Sequence, residues 1–277
     1  MLDQTIVIYC ICDELIRSIP LKDDLQCKMS SAEVMTFAIM SATLYGCDYR
    51  KARLVSQGYR LFPEILSHSQ LVRRIHQIPE YVWYLVFFAL QVFLKKADEQ
   101  LFIVDSFPVK AYENHKSFRA KIFSGNKFHG YTASKNMYFF GIKVHMIINS
   151  DGIPIEFSFT PGSEHDVKSL KDFSLENLPR GSLLFGDRAY TSYDFEDSLS
   201  EIEGIQLVPK RKINLKRQHT QENEKLLRKH RNYIESVFSS IVSRMPRYIR
   251  ARTEKGFCLK VFFFILAYMV NLFFPLS

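Results

Sequence analysis

Two short apolar runs, each leading into an aspartate, restrict the folds open to this chain more than any other feature. Leu101-Phe102-Ile103-Val104 runs directly into Asp105, and Leu183-Leu184-Phe185 reaches Asp187 after Gly186. Runs of this length that are apolar throughout, with no alternation, read as strands buried on both faces. Strands of that kind belong inside an α/β sheet, and ligands of open α/β sheets gather beyond the carboxyl ends of the strands. If the two strands are neighbours, the carboxylates converge. Left alone they would repel and one would tend to protonate, whereas a divalent cation between them relieves the repulsion. Taken singly, each aspartate reads as an ordinary strand-end cap.

The surrounding pattern supports an α/β fold with a mixed sheet flanked by helices. Phe139 to Asn149 alternates, with Ile142, Val144, Met146 and Ile148 on one face and Lys143 and His145 on the other. Ser150-Asp151-Gly152 is a turn, and Ile153 to Thr160 returns as the second strand of a hairpin. Helices are expected over 166–173, 192–201 and 226–245, the last stopped by Pro246, and a further strand over 205–209. Two basic segments, 110–138 and 210–225, read as loops. The first mixes Lys, Arg and His with Phe and Tyr, which suits phosphates and unstacked bases, and suits equally a surface insertion with a small aromatic cluster.

Residues 1–96 read as a small all-α domain preceding a 97–277 domain that carries the sheet. Ser30 and Glu33 stand at capping-box spacing before a helix through Leu44, with Gly46 as its stop. A second helix begins near Ser67-His68-Ser69 and ends before Pro79, and a third runs from Glu80 to about Lys96. Three short helices, one bearing Arg73 and Arg74, fit a helix-turn-helix DNA reader and fit an ordinary helical bundle as well.

Hydrophobic residues make up 47% of the chain, which excludes wholesale disorder. The net charge of +8 favours a polyanion or an anionic membrane surface as partner. Asp3, Asp13 and Glu14 interrupt the N-terminal apolar stretch, so no secretory signal is read. The five cysteines form no C-x-x-C pair and are expected to be reduced, mostly buried thiols in a cytoplasmic protein. The apolar run Val261–Phe274 is shorter than the roughly twenty residues of a membrane span and contains Asn271. It is expected to be a buried helix closing the core, with no membrane partner.

A third acid lies in Arg231-Asn232-Tyr233-Ile234-Glu235. Helical spacing puts Arg231 one turn before Glu235, beside an apolar stripe of Ile234, Val237, Phe238 and Ile241. Glu235 can then point inward, or it can be a surface residue paired with Arg231. At this point the segments Val104–Val109, Phe185–Tyr190 and Arg231–Glu235 together resemble the three acidic motifs of bacterial insertion-sequence DDE transposases, closest to insertion-sequence family 982. Gly141–His145 and Pro161–Asp166 resemble accompanying segments. Arg228 and Val242 depart from the Tyr and Lys of the Tyr-Arg-Glu-Lys signature found in the wider group. The resemblance implies a ribonuclease-H-like catalytic domain, with Asp105, Asp187 and Glu235 as catalytic residues holding two Mg²⁺ or Mn²⁺ ions. It implies double-stranded DNA as partner (the terminal inverted repeats of a transposon, then target DNA), in a bacterial, nucleoid-associated setting, with a homodimer as a candidate assembly. A ribonuclease-H-like nuclease or resolvase that cuts without joining, an inactive DNA-binding derivative and a membrane-associated basic protein are the competing readings.

Several residues are candidates for DNA contact or support: Lys143 and His145 on one strand face, His165 and Asp166 before a helix, Arg188 beside Asp187, and Arg231. From Ile205 to Lys260 there are fifteen Lys or Arg against four acids. Within that stretch Arg244, Arg247, Arg250 and Arg252 could track a DNA backbone.

Overall fold

The computed structural model describes residues 2–94, 99–132, 136–212 and 214–274. Two compact units emerge: Met1–Lys95 with Ser240–Ala251 and Lys255–Ser277, and Lys96–Ser239 with Arg252–Glu254. The division differs from the sequence reading at the C-terminal end, since the last helix belongs to the first unit. The boundary between 96 and 97, and the end of the third helix at Lys96, lie outside the described residues.

The first unit begins with α1 (Leu2–Ser18), α2 (Ser31–Tyr45), α3 (Tyr49–Gly58), α4 (His68–Gln77) and α5 (Glu80–Leu94). The capping box at the start of α2 is formed: Glu33 N–H donates to Ser30 Oγ at 3.1 Å, and Ser30 N–H donates to Glu33 Oε2 at 2.7 Å. Gly46 closes the helix at φ 56°, a left-handed conformation that glycine adopts without penalty. Ser67 and Gln70 form a second capping box ahead of α4.

In the second unit, β1 (Leu101–Tyr112), β2 (His129–Thr132), β3 (Met137–Asn149), β4 (Pro154–Pro161), β5 (Leu183–Gly186) and β6 (Gln206–Pro209) form one mixed sheet. β1 pairs antiparallel with β3 and parallel with β5, and β5 continues parallel to β6. β2 and β4 share the far edge of β3, β2 against its first residues and β4 against the rest. Helices α6 (Asp166–Lys171), α7 (Tyr193–Ile202) and α8 (Gln221–Ser243) accompany the sheet. This is the α/β, ribonuclease-H-like architecture expected.

The described part of the 110–138 segment is not one continuous loop. β1 extends to Tyr112, and β2 and the start of β3 build a hairpin there, with 3-10 turns at Asn114–Arg119 and Asn126–Phe128 between. The 210–225 segment is shorter than expected because α8 begins at Gln221. It is also tied down. The Arg211 guanidinium is buried in an ion pair with Glu196, Arg217 pairs with Asp197 at 2.6 Å, and both arginines lie over the Tyr193 ring.

The final helix, α9 (Glu254–Phe273), has 20 residues, so length no longer argues against a membrane span. Its surroundings decide where its surface goes: Val261 to Asn271 are buried in the first unit, where Phe263 meets Trp83 at 4.7 Å and Phe262 meets Tyr84 at 5.3 Å. Of the five free cysteines only Cys12 and Cys47 are buried, fewer than expected.

Candidate active site

Side chains along β1 alternate between the two faces of the sheet. Ile103, Asp105 and Phe107 share one face, and Val104, Ser106 and Pro108 share the other. β5 runs alongside in register with Val104 opposite Gly186, so Phe185 and Asp187 lie on the Asp105 face. β1 itself does not end at Asp105. β5 ends there, and the strand-end logic therefore holds for Asp187 and for the parallel ladder, while Asp105 sits inside a longer strand.

α8 covers this face. Phe238 packs on Phe107 with ring centroids 4.6 Å apart, and His230 stacks on Phe185 at 6.0 Å. Ile234, Val237 and Phe238 are buried beneath the helix. That anchoring fixes the rotation of α8 and brings Arg231 to the acids, with Glu235 one turn on. The Arg231 guanidinium lies 3.7 Å from Asp187 Oδ1 and 3.5 Å from Glu235 Oε1. Asp105, Asp187, Arg231, Leu227 and Ile234 line one narrow cleft. The three acids are thus on one side of the sheet, joined through an arginine. Of the two orientations open to Glu235 in the sequence, the surface one paired with Arg231 is found: its side chain is 59% exposed.

Burial pushes the Asp105 carboxyl up to about 7. The charges of Asp187 and Asp166 push the same way, while the Ser106 N–H, which donates to Oδ1 at 2.8 Å, and Arg231 oppose. A half-buried carboxyl facing a second carboxylate and short of positive charge is a fitting place for a hard divalent cation with oxygen ligands. Asp105 and Asp187 fit such an ion. Glu235 fits only after its side chain turns inward past Arg231, and among the described residues no group of three acidic, His or Cys side chains is already gathered as a metal site.

The opposite face holds a polar cluster. Lys143 Nζ donates to Asp166 Oδ1 at 2.9 Å and to the Glu164 carbonyl at 2.7 Å, and Ser106 Oγ donates to Asp166 Oδ1 at 3.4 Å. His145 is fully buried, 2.9 Å from Thr160 Oγ1, and burial pulls its pKa down to about 4. A neutral, enclosed imidazole cannot reach a DNA phosphate, so the expectation of DNA contact fails for His145. Its Nδ1 lies 3.9 Å from Asp166 Oδ1, beyond hydrogen-bond distance. Tyr190 is also fully buried here. Burial and the charges of Asp105 and Asp166 raise its pKa well above the usual phenol value, which keeps it protonated. Gly186 makes room for it, since a Cβ at that position would stand 3.1 Å from the Tyr190 ring. The sequence signal for Ser106 and Tyr190 is their place in the Val104–Val109 and Phe185–Tyr190 segments, next to Asp105 and three residues after Asp187.

Among the remaining candidates, Arg188, next to Asp187, and His165, next to Asp166, are exposed. Arg73 is exposed, but Arg74 is held by Asp23 at 2.8 Å and by the Met29 carbonyl at 3.2 Å. Arg244 binds the Ser240 carbonyl and Oγ, closing the end of α8. Arg247 and Arg250 are exposed in the first unit, and Arg252 is exposed in the second.

A family model described as a transposase DDE domain matches residues 95–248, more than half of the chain. This chain belongs to the DDE-domain transposases. The match takes in Asp105, Asp187 and Glu235. A curated relative, the transposase for insertion sequence element IS1106 of Neisseria meningitidis serogroup B, is 30% identical over 118 residues, 42% of this chain and 40% of the relative. The chain thus aligns with less than half of that relative's length. Neither match names insertion-sequence family 982. DDE transposase domains are metal-dependent and act on DNA, and the hard-oxygen cleft between β1 and β5 is in keeping with both.

Proposed function

We propose that this DDE transposase cuts the ends of a bacterial insertion sequence and joins them to target DNA, with Asp105, Asp187 and Glu235 as its catalytic carboxylates. One observation carries the reading. Two aspartates on adjacent parallel strands face the same cleft, and α8 brings Arg231 to it, with Glu235 one turn further along the helix and paired to that arginine.

Asp105 and Asp187 would hold Mg²⁺ or Mn²⁺, with Glu235 closing from α8; two ions suit the chemistry. A divalent cation bound there supplies Lewis-acid activation of the attacking oxygen and stabilisation of the leaving oxygen. Arg231, released from the carboxylates, is placed to contact the scissile phosphate, and Arg188 stands beside it. Ser106 N–H and the Lys143–Asp166 pair hold Asp105 and its strand in place. Water as nucleophile leaves a 3′ hydroxyl at the transposon end. That hydroxyl, as the second nucleophile, forms the new phosphodiester with the target and displaces a target 3′ oxygen.

The exposed arginines Arg73, Arg247, Arg250 and Arg252 are proposed DNA contacts, and α1–α5 a proposed end-binding region. The test uses a duplex bearing the inverted repeat that brackets the gene. Asp105→Asn, Asp187→Asn and Glu235→Gln should each lower Mg²⁺-dependent cleavage by at least about 10³-fold while DNA affinity stays within a few-fold. Retained cutting would remove that residue from the set. Cleavage without joined products would leave a nuclease in place of a transposase.

A further inference from the structure

Asp187 is held against β1 without a strand ladder of its own. β5 ends at Gly186, opposite Val104, and Arg188 and Ala189, which follow Asp187, are exposed. The first fully enclosed side chain beyond the ladder is Tyr190. We infer that Tyr190 is a positioning residue for the metal: from the far face of the sheet it pins the Asp187 turn to β1 and so sets the separation of the Asp105 and Asp187 carboxylates. The inference rests on the reading that these two aspartates hold a divalent cation.

The turn straddles the sheet. Asp187 lies on the cleft face. A Cβ added to Gly186 would point to the other face, 3.1 Å from the Tyr190 ring and 3.2 Å from Val104 Cγ1. Tyr190 has therefore passed round the end of β5 to the face that carries Val104 and Ser106. Its N–H donates to the Asp187 carbonyl at 3.1 Å, which makes the reversal a single tight turn, and α6 packs on the same turn. The Tyr190 hydroxyl faces Ser106, the residue after Asp105. Beyond burial, the charges of Asp105, Asp166 and Asp187 all act on it. One side chain thus links the Asp187 turn to the strand of Asp105, on the side of the sheet that the ion does not occupy.

The fold does not need this hydroxyl. It is buried, and among the described residues it finds no hydrogen bond of ordinary length. A buried hydroxyl so poorly compensated costs stability, and phenylalanine would fill the same space without that cost. A polar group that burdens the fold while standing behind two metal ligands acts on the ligands: groups in that place orient them and govern the affinity of the ion.

The experiment titrates the full chain with Mn²⁺ in the absence of DNA, counting free ion by electron paramagnetic resonance. It also measures the melting temperature without added metal. Tyr190→Phe should melt at or above wild type and yet bind Mn²⁺ roughly 10- to 100-fold more weakly. A role in stability alone would lower the melting temperature, so the opposite signs identify positioning. Ser106→Ala keeps the N–H that donates to Asp105 and removes the side chain that Tyr190 faces. It should weaken Mn²⁺ binding too, and the double variant should bind no more weakly than the worse of the two, since both changes break one link. A loss in Tyr190→Phe smaller than about 10-fold, a lowered melting temperature, or losses that multiply in the double variant each overturn the inference. Asp105→Asn, titrated alongside, separates the two levels. If it loses Mn²⁺ while Tyr190→Phe keeps it, only the pin is lost. If wild type and Asp105→Asn bind Mn²⁺ alike, the metal reading falls and the pin with it.

Discussion

Asp105 is the residue at which fold and chemistry oppose each other. In the metal-free protein its carboxyl is pushed up to about 7, chiefly by burial. An acid whose folded pKa exceeds its unfolded value stabilises the fold below the unfolded pKa and loses that contribution as pH rises through the folded one. The metal-free protein should therefore lose stability between about pH 4 and pH 7. Asp105→Asn, which stays neutral, should escape the loss and melt higher by roughly 2–8 °C at pH 8, with little difference near pH 4. Mn²⁺ should raise the melting temperature of wild type and leave the variant almost unmoved. Equal melting temperatures of the two metal-free proteins at pH 8 would show that Asp105 is hydrated and ordinary. Arg231 works in the opposite sense: it supplies positive charge between Asp187 and Glu235. Arg231→Gln should deepen the dependence on metal, seen as a larger Mn²⁺-induced rise in melting temperature than in wild type. The repulsion between Asp105 and Asp187, and its relief by a cation, was legible in the sequence; that Arg231 stands between Asp187 and Glu235 was not, because Arg231 and Glu235 fit a surface helical pair as well as an inward-facing acid.

At the scale of elements, legibility followed local physics. α2 was readable because Ser30, Glu33 and Gly46 specify its ends through their own hydrogen bonds and backbone angles. β5 and its partner run were readable because a strand buried on both faces must be apolar throughout. The second half of β1 was not, since Pro108 carries no strand signal and the chain from Lys110 onward read as a loop. Pro108 is tolerated because β5 has already ended, leaving that edge of β1 without a parallel ladder to serve. The first turn of α8, Gln221–Lys225, carries no apolar residue to betray a helix. Glu222 and Glu224 favour it through the helix dipole. Gly141 pairs beside the irregularity between Lys110 and Tyr112, where a Cβ would stand 2.2 Å from the Val109 carbonyl oxygen. Gly141→Ala should cost about 2–4 kcal/mol in urea unfolding, because β1 or β3 must shift to admit the methyl group. A cost below about 0.5 kcal/mol would mean the strands part freely at the irregularity.

For the whole molecule, the division of the chain into units changes which fragments are sensible. The sequence suggested a cut near residue 96, leaving α9 with the sheet. In the structure the Phe262 and Phe263 rings of α9 pack on Trp83, Tyr84 and Phe87 of α5. A fragment spanning 97–277 would strip those partners away and expose a 20-residue helix of very apolar composition. Patches of that size drive self-association. That fragment should therefore run as aggregates in gel filtration, or partition into detergent, whereas a fragment spanning 99–239 retains β1–β6, Asp105, Asp187, Glu235 and the anchoring of α8 by Phe238. The two differ chiefly in the segment that ends in α9, so their comparison isolates its contribution. A well-behaved 97–277 fragment would mean that α9 finds another cover, and the two-unit description would then have to give way to one in which the last helix can serve either partner.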